Sequence, residues 1–266
     1  MDFEETPPRR ERDWLLDELA TLAARVGPDP FLDAPILVPT RENFPDVWTP
    51  DEAGVERLAR RLLGYAGLQG IEVEVTGGSA GPGEDEIWIE HCDDRTCRLG
   101  TQIDERSDPA GRMAIVAAAV YRRVSGLVPV DAEAMAGYRN PPELDKAAQT
   151  LEGKRAEITS IYLGFGVLTA NYCYRHEYKL GRNQYVVTRP RRTLLMPQDF
   201  AYGLVVQAAV RRLGWWARHR LLGHLDINPA GFFRAAWRDL GGDADALAEH
   251  LVRPSAGGSP YRRSAG

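Results

Sequence analysis

The stretch 109–125 reads PAGRMAIVAAAVYRRVS, and it governs how the rest of the chain is interpreted. Proline is well tolerated at the start of a helix, and nine apolar or aromatic residues run from Met113 to Tyr121. A helix that is apolar on nearly all sides must be surrounded by other elements. We therefore predict a central helix from Pro109 to Ser125.

Helices and an extended arm are predicted on the N-terminal side of this stretch. Apolar residues recur at helical spacing over 12–26, and the prolines in 27–30 end that helix. The segment 31–48 contains three prolines and is predicted to be an extended arm. Thr49 followed by Glu52 resembles a capping box, which predicts Thr49 as the N-cap of the next helix.

A small sheet is predicted between that helix and the central one. Residues 71–75 and 86–90 alternate apolar and polar side chains, as half-buried strands do. The glycine-rich loop 77–83 is interpreted as the tip of a hairpin between them. A third strand is predicted over 97–103.

The C-terminal half is predicted to be helical. A long helix is expected from Leu144 to about Tyr174, and the glycines of 164–166 inside it predict the close approach of another element. Aromatic and β-branched residues over 178–193 favour a hairpin or an irregular arm. Further helices are expected over 197–213 and 215–222, then one that begins at Asn228 and a last short one from Asp243 to Leu251.

These elements predict an α+β, predominantly helical fold with a small sheet and a C-terminal helical region. We expect one globular domain over 1–252, in four parts: an N-terminal arm and helix (1–50), a helix and small sheet (51–107), core helices (108–176) and a C-terminal helical region (177–252). The Gly/Ser/Pro/Arg-rich tail 253–266 is predicted to be disordered.

Composition favours an ordinary soluble protein. The net charge of −5 creates no strong field for nucleic acid or membranes, and no apolar run has the roughly 20 residues that a membrane helix needs. The polar N-terminus shows no signal-peptide pattern, so a cytoplasmic location is expected. Three cysteines in a long chain predict reduced thiols rather than disulfides.

Five segments resemble, in order, an uncharacterised bacterial family of zinc-metallopeptidase-like proteins. The most specific is GFGVLTAN at 164–171; the others are DPF at 29–31, FPD at 44–46, EITS at 157–160 and FAYGL at 200–204. The resemblance implies a zincin-like core. It also implies a His-Glu-x-x-His motif on the central helix and a further Glu-x-x-Asp on a second helix.

The residues at those positions depart from the family pattern. Ala118 and Arg122 stand where the resemblance places the two histidines, Ala119 replaces the catalytic glutamate, Glu157 remains and Ser160 replaces the aspartate. Two histidines at i and i+4 would share one helical face and bind zinc, but no histidine occurs between Cys92 and Arg175. We therefore predict a protein without catalysis, metal or cofactor.

Two interpretations of Arg122 stay open at this point. In one, Arg122 forms an internal salt bridge with Glu157 and fills the vacated pocket, which would spare Glu157 from being a buried unpaired charge. In the other, its long side chain reaches solvent from the end of the helix.

A rebuilt metal site is the alternative for an active enzyme. His91, Cys92 and Cys97 form a His-Cys-x4-Cys cluster, and Cys173 or His176 would have to complete it. The cluster lacks the tight paired spacing of zinc motifs, so isolated thiols and a surface histidine are the simpler interpretation.

Positive charge concentrates between residues 175 and 222. Ten basic residues face two acidic ones there, and tyrosines and tryptophans are interleaved. The candidate surface comprises Arg182, Arg189, Arg191, Arg192, Arg211, Arg212, Trp215 and Trp216. Arginine with aromatics suits an acidic protein partner, while nucleic acid and internal docking on the acidic remainder stay open. The sequence thus favours an inactive peptidase-like protein that works as an interaction or regulatory subunit.

Overall fold

The computed structural model describes residues 6–78, 86–103, 109–128, 146–173, 176–178, 186–188, 193–240 and 244–252. The described residues are mostly helical, with a small three-stranded sheet, so the α+β, predominantly helical fold class is confirmed. The helices are α1 (Arg9–Val26), α2 (Asp29–Asp33), α3 (Glu52–Tyr65), α4 (Pro109–Val124), α5 (Lys146–Tyr162), α6 (Gly166–Cys173), α7 (Pro197–Val210), α8 (Trp215–Leu222), α9 (Ile227–Leu240) and α10 (Ala244–Val252). The strands are β1 (Glu72–Gly77), β2 (Ile87–Cys92), β3 (Thr96–Thr101), β4 (His176–Tyr178) and β5 (Val186–Thr188). The tail 253–266, predicted to be disordered, lies outside the described residues.

Helix α4 is the centre of the fold, as its apolar sequence predicts. Eleven of its sixteen residues are buried, and it packs against α3, α5, α6 and β2. Gly111 lets α6 come close, because a Cβ atom at this position would lie 2.1 Å from the Cβ of Tyr172. The hydrophobic effect of burying this surface is the main stabilising term for such a helix.

The sheet has the order β1-β3-β2, which differs from the predicted hairpin. Strand β1 pairs with β3 in parallel, with Val73 opposite Cys97, while β2 and β3 form the antiparallel hairpin. The tight turn is at Asp93–Thr96, where the Asp93 amide donates to the Thr96 carbonyl oxygen at 3.0 Å, and β1 and β2 are not adjacent. Residues 79–83 of the predicted hairpin tip lie outside the described residues. Strand β3 is the most buried of the three, and it lies in the middle, with β1 along one edge and β2 along the other.

The long helix predicted over 144–174 is broken into α5 and α6. Gly164 has φ +85°, which ends α5, and a Cβ atom there would lie 2.3 Å from the carbonyl oxygen of Pro35. The arm crosses at this point, and its Leu37 amide donates to the Gly164 carbonyl oxygen at 2.8 Å. The predicted close approach is therefore correct, whereas the predicted uninterrupted helix is wrong.

The start of α3 also differs from the prediction. The N-cap is Asp51, whose carboxylate accepts from the Gly54 amide at 2.7 Å, and Thr49 instead donates its hydroxyl to Asp51. Either residue type can cap a helix, and the backbone geometry decides between them. At the N-terminal end of the arm, α2 begins at Asp29, shortly after α1 ends at Val26, and Pro30 lies in its first turn.

The C-terminal region surrounds a second buried helix. All but one residue of α7 are buried, and α7 packs against α1, α5, α6, α9 and α10. Strands β4 and β5 are antiparallel, which agrees with the hairpin predicted over 178–193. None of the helices in the described ranges combines the length and the apolar character required to cross a membrane.

Candidate functional site

The α4 positions to which the resemblance assigns zinc-site residues face the interior of the protein. Ala118 is fully buried, Ala119 is half-buried and Arg122 is buried although it carries a permanent charge. The Nε atom of Arg122 lies 2.6 Å from a carboxylate oxygen of Glu152 on α5. Its Nη1 atom donates to the hydroxyl of Thr159 at 3.3 Å. The alternative in which Arg122 reaches solvent is therefore wrong.

Arg122 and Glu152 belong to a chain of alternating charges that links three helices. Arg155 lies 3.8 Å from the second carboxylate oxygen of Glu152, and it is 3.1 Å from Glu18 of α1. Arg155 is more exposed than the other three members. Burial of an ion pair is tolerated when each charge has partners, and this network supplies them. We call Arg122, Glu152, Arg155 and Glu18 the interior charge network.

The predicted salt bridge between Arg122 and Glu157 is wrong. On α5, Thr159 lies seven positions after Glu152 and therefore on the same face, whereas Glu157 lies five positions after it and points about 140° away. The face that meets α4 thus presents Glu152 and Thr159 to Arg122. Glu157 points towards the segment that precedes α7.

Glu157 anchors that segment through its carboxylate. One oxygen accepts from the Leu194 amide at 2.7 Å and the other from the Leu195 amide at 2.6 Å. Charged hydrogen bonds of this length are among the stronger ones in proteins. The hydroxyl of Ser160 donates to the Glu157 carbonyl oxygen at 2.6 Å and lies 3.2 Å from the Thr169 hydroxyl. Glu157 and Ser160, the two positions that the resemblance singles out on α5, thus connect elements of the core.

These residues do not fit a zinc ion. Alanine at 118 and 119 has no donor atom, and the guanidinium of Arg122 places a positive charge beside the position of a dication. The Glu157 carboxylate binds backbone amides on the other side of α5. Among the residues that the structure describes, no group of three or more His, Cys, Asp and Glu side chains could hold a metal ion.

The cluster His91, Cys92 and Cys97 does not converge on one point. Cys92 and Cys97 are opposite each other on β2 and β3, and both are buried. His91 is on the other face of β2, exposed, with its Nε2 atom 3.1 Å from Asp93. A hydrogen bond with Cys92 and then burial raise the pKa of the Cys97 thiol. All three cysteines, including Cys173, are free thiols.

Helix α8 presents an aromatic and basic face to solvent. Trp215 is 58% exposed and Trp216 is 78% exposed, and their ring centroids are 4.5 Å apart in an edge-on arrangement. His219 stacks on Trp215 with centroids 5.4 Å apart. The guanidinium of Arg218 lies 4.2 Å from the ring centroid of Trp237, which holds α8 against α9. We call Trp215, Trp216, His219 and the exposed Arg220 the α8 face.

The two arginines before α8 have different environments. Arg211 is half-buried and donates to the carbonyl oxygens of Pro30, Phe31 and Ala34, and burial lowers its pKa to about 10. Arg211 therefore serves an internal contact, which removes it from the predicted outward surface. Arg212 is exposed and lies 2.8 Å from Asp245 of α10. The other arginines of the candidate surface, Arg182, Arg189, Arg191 and Arg192, lie outside the described residues.

Sequence reasoning missed Glu152, Arg155 and Glu18. A signal for two of them was present, because Glu152, Arg155 and Thr159 are spaced i, i+3 and i+7 and must share one helical face. Pairing that face with Arg122 required knowing which side of α5 meets α4. The partner of Arg155 on α1 is 137 residues away in the chain, beyond the reach of any local pattern.

Comparisons with protein-family models, with curated proteins and with solved structures found no match to this chain. The resemblance to zinc-metallopeptidase-like proteins therefore stays a prediction that depends on the short segments quoted above.

Proposed function

We propose that this chain is a catalytically inactive, peptidase-like protein that acts as an interaction or regulatory subunit. The observation that carries the proposal is the side-chain chemistry of α4. Ala118 and Ala119 offer methyl groups, and Arg122 is a cation that Glu152 already neutralises. A zincin-like core is part of the proposal. It is supported by the packing of α4 against α5, because α4 contains Ala118, Ala119 and Arg122 and α5 contains Glu157.

The proposed partner is an acidic protein that docks on the α8 face. Two indole rings that are more than half exposed cost free energy in water unless something covers them. Helix α8 contains two arginines, one histidine and no acidic residue. Aromatic side chains with arginine are the composition that dominates the energetic centre of protein interfaces. A negatively charged surface with an apolar centre is the complement of this face.

The first experiment tests the absence of catalysis and metal. The purified chain is dialysed against zinc, its bound metal is measured by mass spectrometry, and hydrolysis of a mixed peptide library is followed in parallel. We expect no stoichiometric zinc and no turnover above background. A working metal enzyme would instead show one bound zinc per chain and peptide turnover in the wild type, and both would be lost in Glu157→Gln.

The second experiment tests the partner surface. The tagged chain is purified from its native host after crosslinking, alongside the double variant Trp215→Ser/Trp216→Ser. Leu151→Ser is the matched control, because Leu151 is an exposed apolar residue on α5, outside the α8 face. We expect an acidic protein that wild type and the control retain and the double variant loses. Recovery of nucleic acid, bound with an affinity that falls steeply as the salt concentration rises, would instead support a nucleic-acid-binding protein.

A further inference from the structure

A cavity of about 450 Å³ lies between the arm, α3 and the first residues of α4. Its volume falls within the range of roughly 300–1,000 Å³ that is typical of small-molecule sites. None of the members of the interior charge network and none of the α8 face lines it. We call this cavity the arm pocket.

The walls of the arm pocket are mainly apolar and held in place. Phe44 and Leu58 line it half-buried, and Trp48 at its margin is 37% exposed. Two contacts fix the arm relative to α3: the Tyr65 hydroxyl donates to the Asn43 carbonyl oxygen at 3.1 Å, and Arg61 pairs with Asp46 at 2.6 Å. The pocket is therefore preformed, which lowers the entropic cost of binding.

Apolar residues at the opening are left uncovered. Val47 also lines the pocket and is 81% exposed, next to the partly exposed Trp48. Covering such side chains is favourable, at about 25 cal/mol for each Å² of apolar surface removed from water. A ligand with an apolar body would gain this contribution.

The charged residues of the pocket favour an anion, because Arg41, Arg57 and Arg61 line it together with a single acidic residue, Asp46. Arg61 is neutralised by Asp46 at 2.6 Å, and Arg57 donates to the Thr49 hydroxyl at 2.7 Å. Arg57 also lies near enough to Asp51 to help lower the pKa of that carboxyl, after the hydrogen bonds from Thr49 and Gly54.

One arginine of the pocket has no charged partner among the described residues. Arg41 is exposed and forms no ion pair within the described part of the chain. A ligand carboxylate can accept charge-assisted hydrogen bonds from such a guanidinium.

We infer that the arm pocket binds a small amphipathic carboxylate, with its apolar body against Phe44, Trp48 and Leu58 and its carboxylate at Arg41. The inference is independent of the proposed partner on α8, because the pocket shares no residue with that face.

The test is calorimetric titration of the full chain with two carboxylates, decanoate and naphthylacetate, and with their neutral analogues decanol and naphthylethanol. We expect saturable one-to-one binding of at least one carboxylate and weaker binding of its neutral analogue. Arg41→Ala should weaken carboxylate binding about tenfold or more, the equivalent of one charged hydrogen bond. It should leave binding of the neutral analogue nearly unchanged.

Arg60→Ala is the matched control for Arg41→Ala. Arg60 is an exposed arginine of α3, it pairs with Glu56 at 2.6 Å, and it does not line the pocket. Its removal should leave carboxylate affinity unchanged. The inference is overturned if neither carboxylate binds saturably, if the neutral analogue binds as tightly, or if Arg41→Ala and Arg60→Ala have the same effect.

Discussion

Removal of Arg122 is the most informative perturbation of the core. Arg122→Ala deletes a buried cation whose Nε atom lies 2.6 Å from Glu152, and it deletes a hydrogen bond to Thr159. Glu152 then keeps its negative charge in a largely buried position. Its remaining cationic neighbour is Arg155, 3.8 Å away.

The cost follows from what Glu152 loses. Removing one partner of a buried ion pair costs about 3–5 kcal/mol, because the other charge is left uncompensated. Arg155 still compensates part of the charge of Glu152, so we expect the lower end, about 3 kcal/mol. For a chain of this size that corresponds to a fall in Tm of about 6–12 °C.

The assay is urea unfolding followed by far-ultraviolet circular dichroism, which yields the free energy of unfolding of each variant. Arg60→Ala is the control, since its exposed pair with Glu56 contributes only about 0.3–0.5 kcal/mol. The double variant Arg122→Met/Glu152→Leu removes both charges and retains apolar volume. It should unfold within about 1 kcal/mol of wild type, because no uncompensated charge remains on these two residues.

Two results would refute the reasoning on Arg122. A loss below about 1 kcal/mol for Arg122→Ala would place this residue in the class of surface ion pairs. A double variant as unstable as the single one would show that burial of an uncompensated Glu152 is not the cause. Peptidase turnover that the wild type shows and Arg122→Ala abolishes would contradict the proposed lack of catalysis.

Three further changes test other contacts by the same unfolding measurement. Glu157→Gln should cost about 2–4 kcal/mol, because an amide can accept only one of the two backbone N–H groups and turns a donor towards the other. Gly164→Ala should cost about 2 kcal/mol or more, through its positive φ and the clash with Pro35, whereas Gly67→Ala has a similar φ in open space and should cost less. Asp93→Asn should destabilise more at about pH 7 than at about pH 3.

The sign of the Asp93 prediction follows from its hydrogen bonds. The amides of Arg95 and Thr96, and then His91, hold the pKa of Asp93 well below its usual range. A carboxyl with a lowered folded-state pKa stabilises the protein above its unfolded-state pKa of about 4, and this contribution is lost as the pH falls towards the folded-state pKa. An Asn at this position has no such titration, so a pH-independent difference would contradict the prediction.

Equal losses for Gly164→Ala and Gly67→Ala would show that the contact with the Pro35 carbonyl is unimportant. For Glu157→Gln, hydrogen exchange at the Leu194 and Leu195 amides provides a local readout. Unchanged protection of both amides would contradict the role of Glu157 as the anchor of the segment before α7.

Local patterns predicted the main elements correctly where one segment contains the whole signal. The central helix is visible in the run from Met113 to Tyr121, α1 follows from its apolar spacing, and α7 follows from Pro197 at its start. The glycines at 164 and 166 were correctly associated with close packing. The break in the helix at Gly164 was not predicted, because glycine is compatible with both a helix interior and a helix end.

The pairing of strands was beyond local patterns. Residues 71–75 and 86–90 both alternate correctly, and adjacency in the chain favoured a hairpin between them. In the structure β3 separates them, because its backbone pairs with β1 along one edge and with β2 along the other. Alternation determines which side chains face the core but contains no information on the neighbour of each strand.

The sequence by itself determined that α4 lies at the centre and that it has alanine and arginine at the positions to which the resemblance assigns histidines. Only the tertiary structure decided that Arg122 meets Glu152 instead of Glu157, and that Arg211 points inward while Trp215 and Trp216 point outward. The physical reason is that residue chemistry and periodicity belong to one segment. The partner of a charge depends on how two helices are rotated about their own axes, and the packing of the whole core sets that rotation.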